Sequence, residues 1–60
     1  MINSLLDISV TAKILNIKVP TLYRWVHERK IPYVKMGNKL RFKESEILNF
    51  IERNTYLPYS

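Results

Sequence analysis

Two stretches of helical periodicity stand three residues apart near the start of the chain, and that spacing constrains the fold more than any other feature. Ile8, Thr11, Ala12 and Leu15 recur at i, i+3, i+4 and i+7, which makes one buried stripe. Leu22, Trp25 and Val26 share one face of a second helix at 100° per residue. Only Asn16, Ile17 and Lys18 lie between them. Asp7 precedes the first stripe, where its carboxylate can accept from the free N–H groups of a first turn. Asn16 follows it, and Asn tolerates the left-handed conformation that ends helices. The first helix is therefore expected over 8–15, with Leu5 and Leu6 as an extended apolar lead-in. Val19-Pro20 opens the second, because the N–H that Pro lacks has no partner in a first turn anyway. Ile31-Pro32 bounds it, since the residue before Pro is pushed toward extended geometry. That helix is expected over about 19–28. Ala12 is small enough for close approach, and Ile17 tucks under the turn. Two short helices joined this tightly form a helix-turn-helix.

Beyond Pro32 the period changes from helical to alternating. Val34 and Met36 alternate with Tyr33 and Lys35; after Gly37-Asn38, Leu40 and Phe42 alternate with Lys39 and Arg41. This reads as a hairpin with one apolar and one cationic face. A two-residue loop would pair Met36 with Lys39 and Val34 with Arg41. An odd-length loop groups Val34, Met36, Leu40 and Phe42, and register follows the buried face. A three-residue loop is therefore expected, with Gly37 or Asn38 supplying unusual dihedrals. Lys35 and Arg41 then become cross-strand neighbours, whose repulsion a phosphate between them would relieve.

A third helix is expected over about 44–53, with Glu44 and Glu46 in a first turn that favours carboxylates. Its buried stripe is Ile47, Phe50 and Ile51, with Leu48 at the edge. The expected fold is mostly α with a small β-hairpin, in one domain over 1–54. Residues 55–60 form a tail with Tyr56, Leu57 and Tyr59, which docks or frays.

Charge is segregated along the chain. Lys18, Arg24, Arg29, Lys30, Lys35, Lys39, Arg41 and Lys43 stand against Glu28 alone, a net +7, while the remainder is −2. On a 7.2 kDa chain this is the footprint of a polyanion binder. Other classes find little support. There is no cysteine, hence no disulfide framework and no thiolate metal site. His27 is the single histidine and has no acidic cluster beside it, so neither metal nor catalytic base is expected. Glu44 and Glu46, two apart on a helix, do not face each other. Gly37 is the only glycine, so no phosphate-cradling loop exists. The expectation is a non-enzyme without cofactor or metal. No apolar run approaches the roughly 18 residues that span a bilayer, and the chain reads as cytoplasmic and nucleoid-associated, with no membrane partner.

The outward face of the second helix is the principal candidate site. A helix fits the major groove of B-DNA, and its early residues meet base edges. Arg24 can donate two parallel hydrogen bonds to guanine O6 and N7. Thr21 and the Pro20 ring suit a thymine methyl or a phosphate, Tyr23 a phosphate, and His27 a phosphate or base acceptor. Asn38 and Lys39 at the hairpin tip suit a minor groove or the backbone, and Lys18, Lys35 and Arg41 suit phosphates. Trp25 belongs to the core, because it shares the stripe with Leu22 and Val26.

These parts occur in a recognisable order: "LLDISVTAKILNI", "TLYRWV", "IPYVKMGNKLRF" and "ESEILNFI". The run from Leu5 to Ile51, about four-fifths of the chain, resembles the excisionase-like, MerR-related winged helix-turn-helix family. The resemblance implies a recognition helix in the major groove and a hairpin wing. It implies Pro20, Thr21, Tyr23, Arg24 and His27 on the groove face, and Asn38 and Lys39 on the wing. Family members are small phage or mobile-element proteins that direct excisive recombination by bending DNA, or related transcription regulators. Members often have Gly where this chain has Asn16 and Arg29, and Ser where it has Lys18. Lys18 cannot accept a capping hydrogen bond, so the second helix is expected to be less well capped. MerR activators carry a long dimerisation helix, whereas nine residues follow Ile51 here, so no small-molecule effector is expected. A single module buries roughly 600–1,000 Å² on DNA. The expected partners are therefore double-stranded DNA together with an integrase or recombinase, or further copies of the chain. A protein-interaction adaptor or antirepressor using the aromatic tail is the competing class.

Overall fold

The N-terminal strand β1 (Leu5–Leu6) leads directly into α1 (Ile8–Leu15). The computed structural model describes residues 4–58. Asp7 caps α1 as expected: its Oδ1 accepts from the Val10 N–H at 2.9 Å. The buried Thr11 hydroxyl donates to the Asp7 carbonyl at 2.8 Å, so it costs no unmet hydrogen bond. Asn16 takes the left-handed conformation at φ 58°, and the Ile17 N–H then reaches back to the Ala12 carbonyl at 3.0 Å. That bond, with Asn16 N–H to Lys13 O, is a Schellman closure. It swings the half-buried Ile17 onto the core and aims the chain into the next helix.

The helix α2 (Val19–His27) starts with Pro20 in its first turn, and Lys18 provides no side-chain cap. It ends one residue earlier than the expected boundary, with Glu28 as the C-cap. The exit repeats the Schellman pattern. Arg29 N–H donates to Val26 O at 3.0 Å and Lys30 N–H to Trp25 O at 2.9 Å. Arg29 occupies the left-handed position at φ 59°. A side chain there is strained, because Cβ crowds the backbone. Ile31, immediately beyond, is buried and anchors the turn.

The hairpin of β2 (Val34–Met36) and β3 (Lys39–Lys43) corrects the sequence reading. The register is Val34↔Arg41, Lys35↔Leu40 and Met36↔Lys39, so the loop has two residues, not three. Gly37 has φ 64° and Asn38 does not have positive φ, the pattern of a type II′ turn with Gly first. An odd-length loop is favoured only if Val34 and Met36 belong to a buried face, whereas Val34 is half-buried and Met36 exposed. Met36 is 54% exposed, since the hairpin tip projects past the core. Without a buried face to obey there, turn chemistry set the register. Opposed residues share a face, so Lys35, Leu40 and Phe42 lie on one side. Val34, Met36, Lys39, Arg41 and Lys43 lie on the other. Lys35 and Arg41 are thus not cross-strand neighbours, and no phosphate can sit between them across the hairpin.

On the other edge of β3, β1 pairs antiparallel with Leu6↔Phe42, giving the sheet order β1-β3-β2. The Ser4 carbonyl accepts from the Glu44 N–H at 3.0 Å, which ties this edge to the start of α3 (Glu44–Arg53). Asn54 Nδ2 and Thr55 Oγ1 close that helix by donating to the Phe50 and Ile51 carbonyls at 2.8 and 2.7 Å. Ala12, Leu22, Ile31, Phe42 and Ile47 form the buried core, and Leu6, Ile8, Leu15, Val26, Leu40 and Phe50 pack around it. Trp25 is half-buried, its ring 6.1 Å from that of Phe50 at 50°. Ile51 does not join the buried stripe of α3 and is 37% exposed. Among the described residues no helix is long and apolar enough to cross a membrane. Tyr59, expected in the tail, lies outside the described residues. The architecture is a winged helix-turn-helix, with α1 and α2 as the motif and the β2–β3 hairpin as the wing.

Candidate nucleic-acid interface

Burying Leu22 and leaning Trp25 and Val26 on the core turns the opposite face of α2 to solvent. Pro20, Tyr23, Arg24 and His27 are exposed on it, and Thr21 is half-buried at its margin. These five are the residues the helical period selected, and the structure brings them onto one surface. The single ion pair among the described residues joins Lys30 to Glu28 at 3.2 Å. It engages the only carboxylate between Lys18 and Lys43, and among the described residues Arg24 has no acidic partner.

The wing distributes its cations over two faces. Lys35, on the Leu40 face, turns toward the end of α2. An open notch of about 360 Å³ lies there, lined by Val26, His27, Arg29, Tyr33, Lys35 and Leu40. Lys39 and Arg41 lie on the opposite face, and Arg41 Nη1 donates to its neighbour's carbonyl, Leu40 O, at 2.8 Å. Asn38 and Lys39 are exposed at the tip. Lys18 is exposed at the other end of α2, at its N-cap. The predicted site residues thus fall into three groups: the α2 face continued by Lys35, the wing tip with Arg41 behind it, and Lys18.

A family model described as a helix-turn-helix domain matches residues 5–55. The chain belongs to the helix-turn-helix domain family. Comparison with curated proteins and with solved structures found no match. Membership makes this a DNA-binding helix-turn-helix domain, with double-stranded DNA as its partner. The matched span takes in every element of the fold, from β1 to the closing residues of α3.

Two residues of this helix-turn-helix surface escaped the sequence reading. Arg29 is visible in sequence as a cation at the exit of the second helix, but that it holds a left-handed backbone and lines the notch is seen only in the structure. Tyr33 has the same parity as Lys35, so a two-residue reading of Gly37-Asn38 would have placed both beside Leu40. Among the described residues no group of His, Cys, Asp and Glu could hold a metal ion.

Proposed function

We propose that this protein binds double-stranded DNA sequence-specifically as a small excisionase-type recombination directionality factor of a phage or mobile element. In this reading α2 enters the major groove, and the wing lies on the adjacent groove or backbone. Arg24 addresses a guanine edge; Thr21, Tyr23, His27 and Pro20 make the surrounding contacts. Asn38 and Lys39 carry the tip, and Lys18, Lys35 and Arg41 hold phosphates. Residues 1–54 form the DNA-binding domain and 55–60 the tail. One observation carries the reading: an exposed helix face with an unpaired Arg24 stands beside a cationic wing, opposite a stripe that anchors it in the core. The small module leaves room for an integrase or further copies on DNA to complete useful affinity.

A second observation favours a protein contact as well. Tyr56 is 88% exposed beyond the end of α3, away from the α2 and wing residues in sequence. In this reading the exposed aromatic of the tail is the contact offered to a recombinase.

The test is footprinting and titration on attachment-site and promoter DNA of the host element. Protection of a discrete site is expected, with Arg24→Ala weakening it by ~1–3 kcal/mol and leaving the fold intact. Equal affinity of wild type for scrambled duplex would remove the specificity claim. Protection at promoters alone would favour a transcription regulator over an excisionase.

A further inference from the structure

The notch between the end of α2 and the wing has a chemical character that neither element has alone. Val26 and Leu40 give it apolar lining. The other lining residues, His27, Arg29, Tyr33 and Lys35, are all donor-bearing, and no described carboxylate residue is among them. The nearest acid in sequence, Glu28, is already engaged by Lys30. Two positive side chains lining one open space repel each other, and an anion between them relieves that repulsion. The backbone adds a second observation. Arg29 is held at φ 59°, where any side chain is strained, although glycine would fit without cost to the Schellman closure. Asn16 has a similar φ of 58°, but Asn tolerates that conformation, whereas Arg does not, so the retained Arg29 side chain is the one that calls for a use.

We infer that this notch seats one phosphate of the DNA backbone, gripped by Arg29 and Lys35 from two different elements with Tyr33 and His27 as further donors. The inference rests on the DNA-binding reading above and extends it to a site formed only when recognition helix and wing are both in place. Arg29 offers a planar fork that matches two phosphate oxygens, and Lys35 offers a point charge from across the gap. The volume of about 360 Å³ admits a phosphate together with its adjoining sugar edges. Because the grip spans both elements, it fixes the angle between α2 and the wing on the duplex. The contact carries no base information, so it acts alike on every sequence.

The test uses the full chain and a labelled mixed-sequence duplex, titrated from ~50 to ~200 mM salt. Arg29→Gly and Lys35→Gln should each weaken binding roughly tenfold, the value of one charged hydrogen bond. The double variant should lower the log–log salt slope by about 0.9, the contribution of one phosphate. Arg29→Lys should retain most of the slope. Circular dichroism on Arg29→Gly should show a fold at least as stable as wild type, so its loss of binding is not unfolding. If the two substitutions each remove about 0.9 and the double variant about twice that, the residues hold separate phosphates and the shared notch is wrong. If wild type binds duplex steeply and neither variant changes it, the notch is wrong while the DNA reading stands. If wild type itself shows no salt-dependent binding, the DNA reading fails, and the notch as a backbone seat fails with it. Inorganic phosphate, followed by NMR without DNA, should shift the notch amides only weakly. Tight saturation by free phosphate would assign the notch to a soluble anion and overturn the proposal.

Discussion

Arg29 shows how a single residue can serve local stability and surface chemistry unequally. A side chain in the left-handed region costs about 1–2 kcal/mol relative to relaxed backbone, and glycine returns part of that as extra freedom in the unfolded chain. Arg29→Gly should therefore raise stability by about 0.5–1 kcal/mol, or a few degrees in Tm for a domain this small. A thermal melt without DNA checks this, and a lowered Tm would mean the guanidinium packs usefully in the free protein. Individual side chains on α2 were otherwise legible: the 100° period alone separated Leu22 from Arg24 and His27. Arg29 was not, because its direction depends on a backbone state outside the helix. A cation at the position where a helix must reverse gives no periodic signal.

At the scale of elements, legibility tracked the strength of local signals. The bounds of α1 and α3 were readable because Asp7 and Asn16 mark one and Glu44 opens the other. The hairpin was readable as an element but not in register. Parity arguments need a buried face, and Val34 and Met36 reach beyond the core, so the Gly37-Asn38 turn decided. With the turn in that role, Gly37 becomes the element's weak point. A Cβ there meets nothing within 4 Å, so the cost of Gly37→Ala is purely the φ of 64°. About 1–2 kcal/mol of strain should fall on the wing alone. Amide exchange in β2 should speed up while the Phe42 and Ile47 neighbourhoods stay protected. Uniform acceleration across the chain would instead show that wing and core open as one unit. The same substitution should loosen Lys35 and Lys39 and weaken duplex binding without touching any cation. Helix α2 has a related economy at its other end. Lys18 occupies the cap without a capping bond, so both ends of the helix carry a cation where a better terminator would fit. Between the two lies a nine-residue helix, about 13.5 Å long at 1.5 Å per residue.

For the whole molecule, size and charge make folding and DNA binding one problem. A chain of 60 residues has about 3–9 kcal/mol of stability, and among the described residues its core has five buried apolar side chains. Against that margin the segregated positive charge is a self-repulsion that the free protein carries and a duplex removes. The segregation itself was plain in the sequence; its division between the two wing faces was not, because that followed from register. Duplex at a hundredfold excess over Kd should add about 2.7 kcal/mol by mass action. For so small a domain this raises Tm by roughly 10–20 °C. Differential scanning fluorimetry with and without duplex measures it. The shift should shrink steeply between ~50 and ~200 mM salt, because the released counterions drive the association. It should also be smaller for Arg29→Gly than for wild type, even though that variant starts from a higher Tm. A shift independent of salt would point to apolar contact, and the cationic surface formed by α2 and the wing would then not be the face that meets DNA.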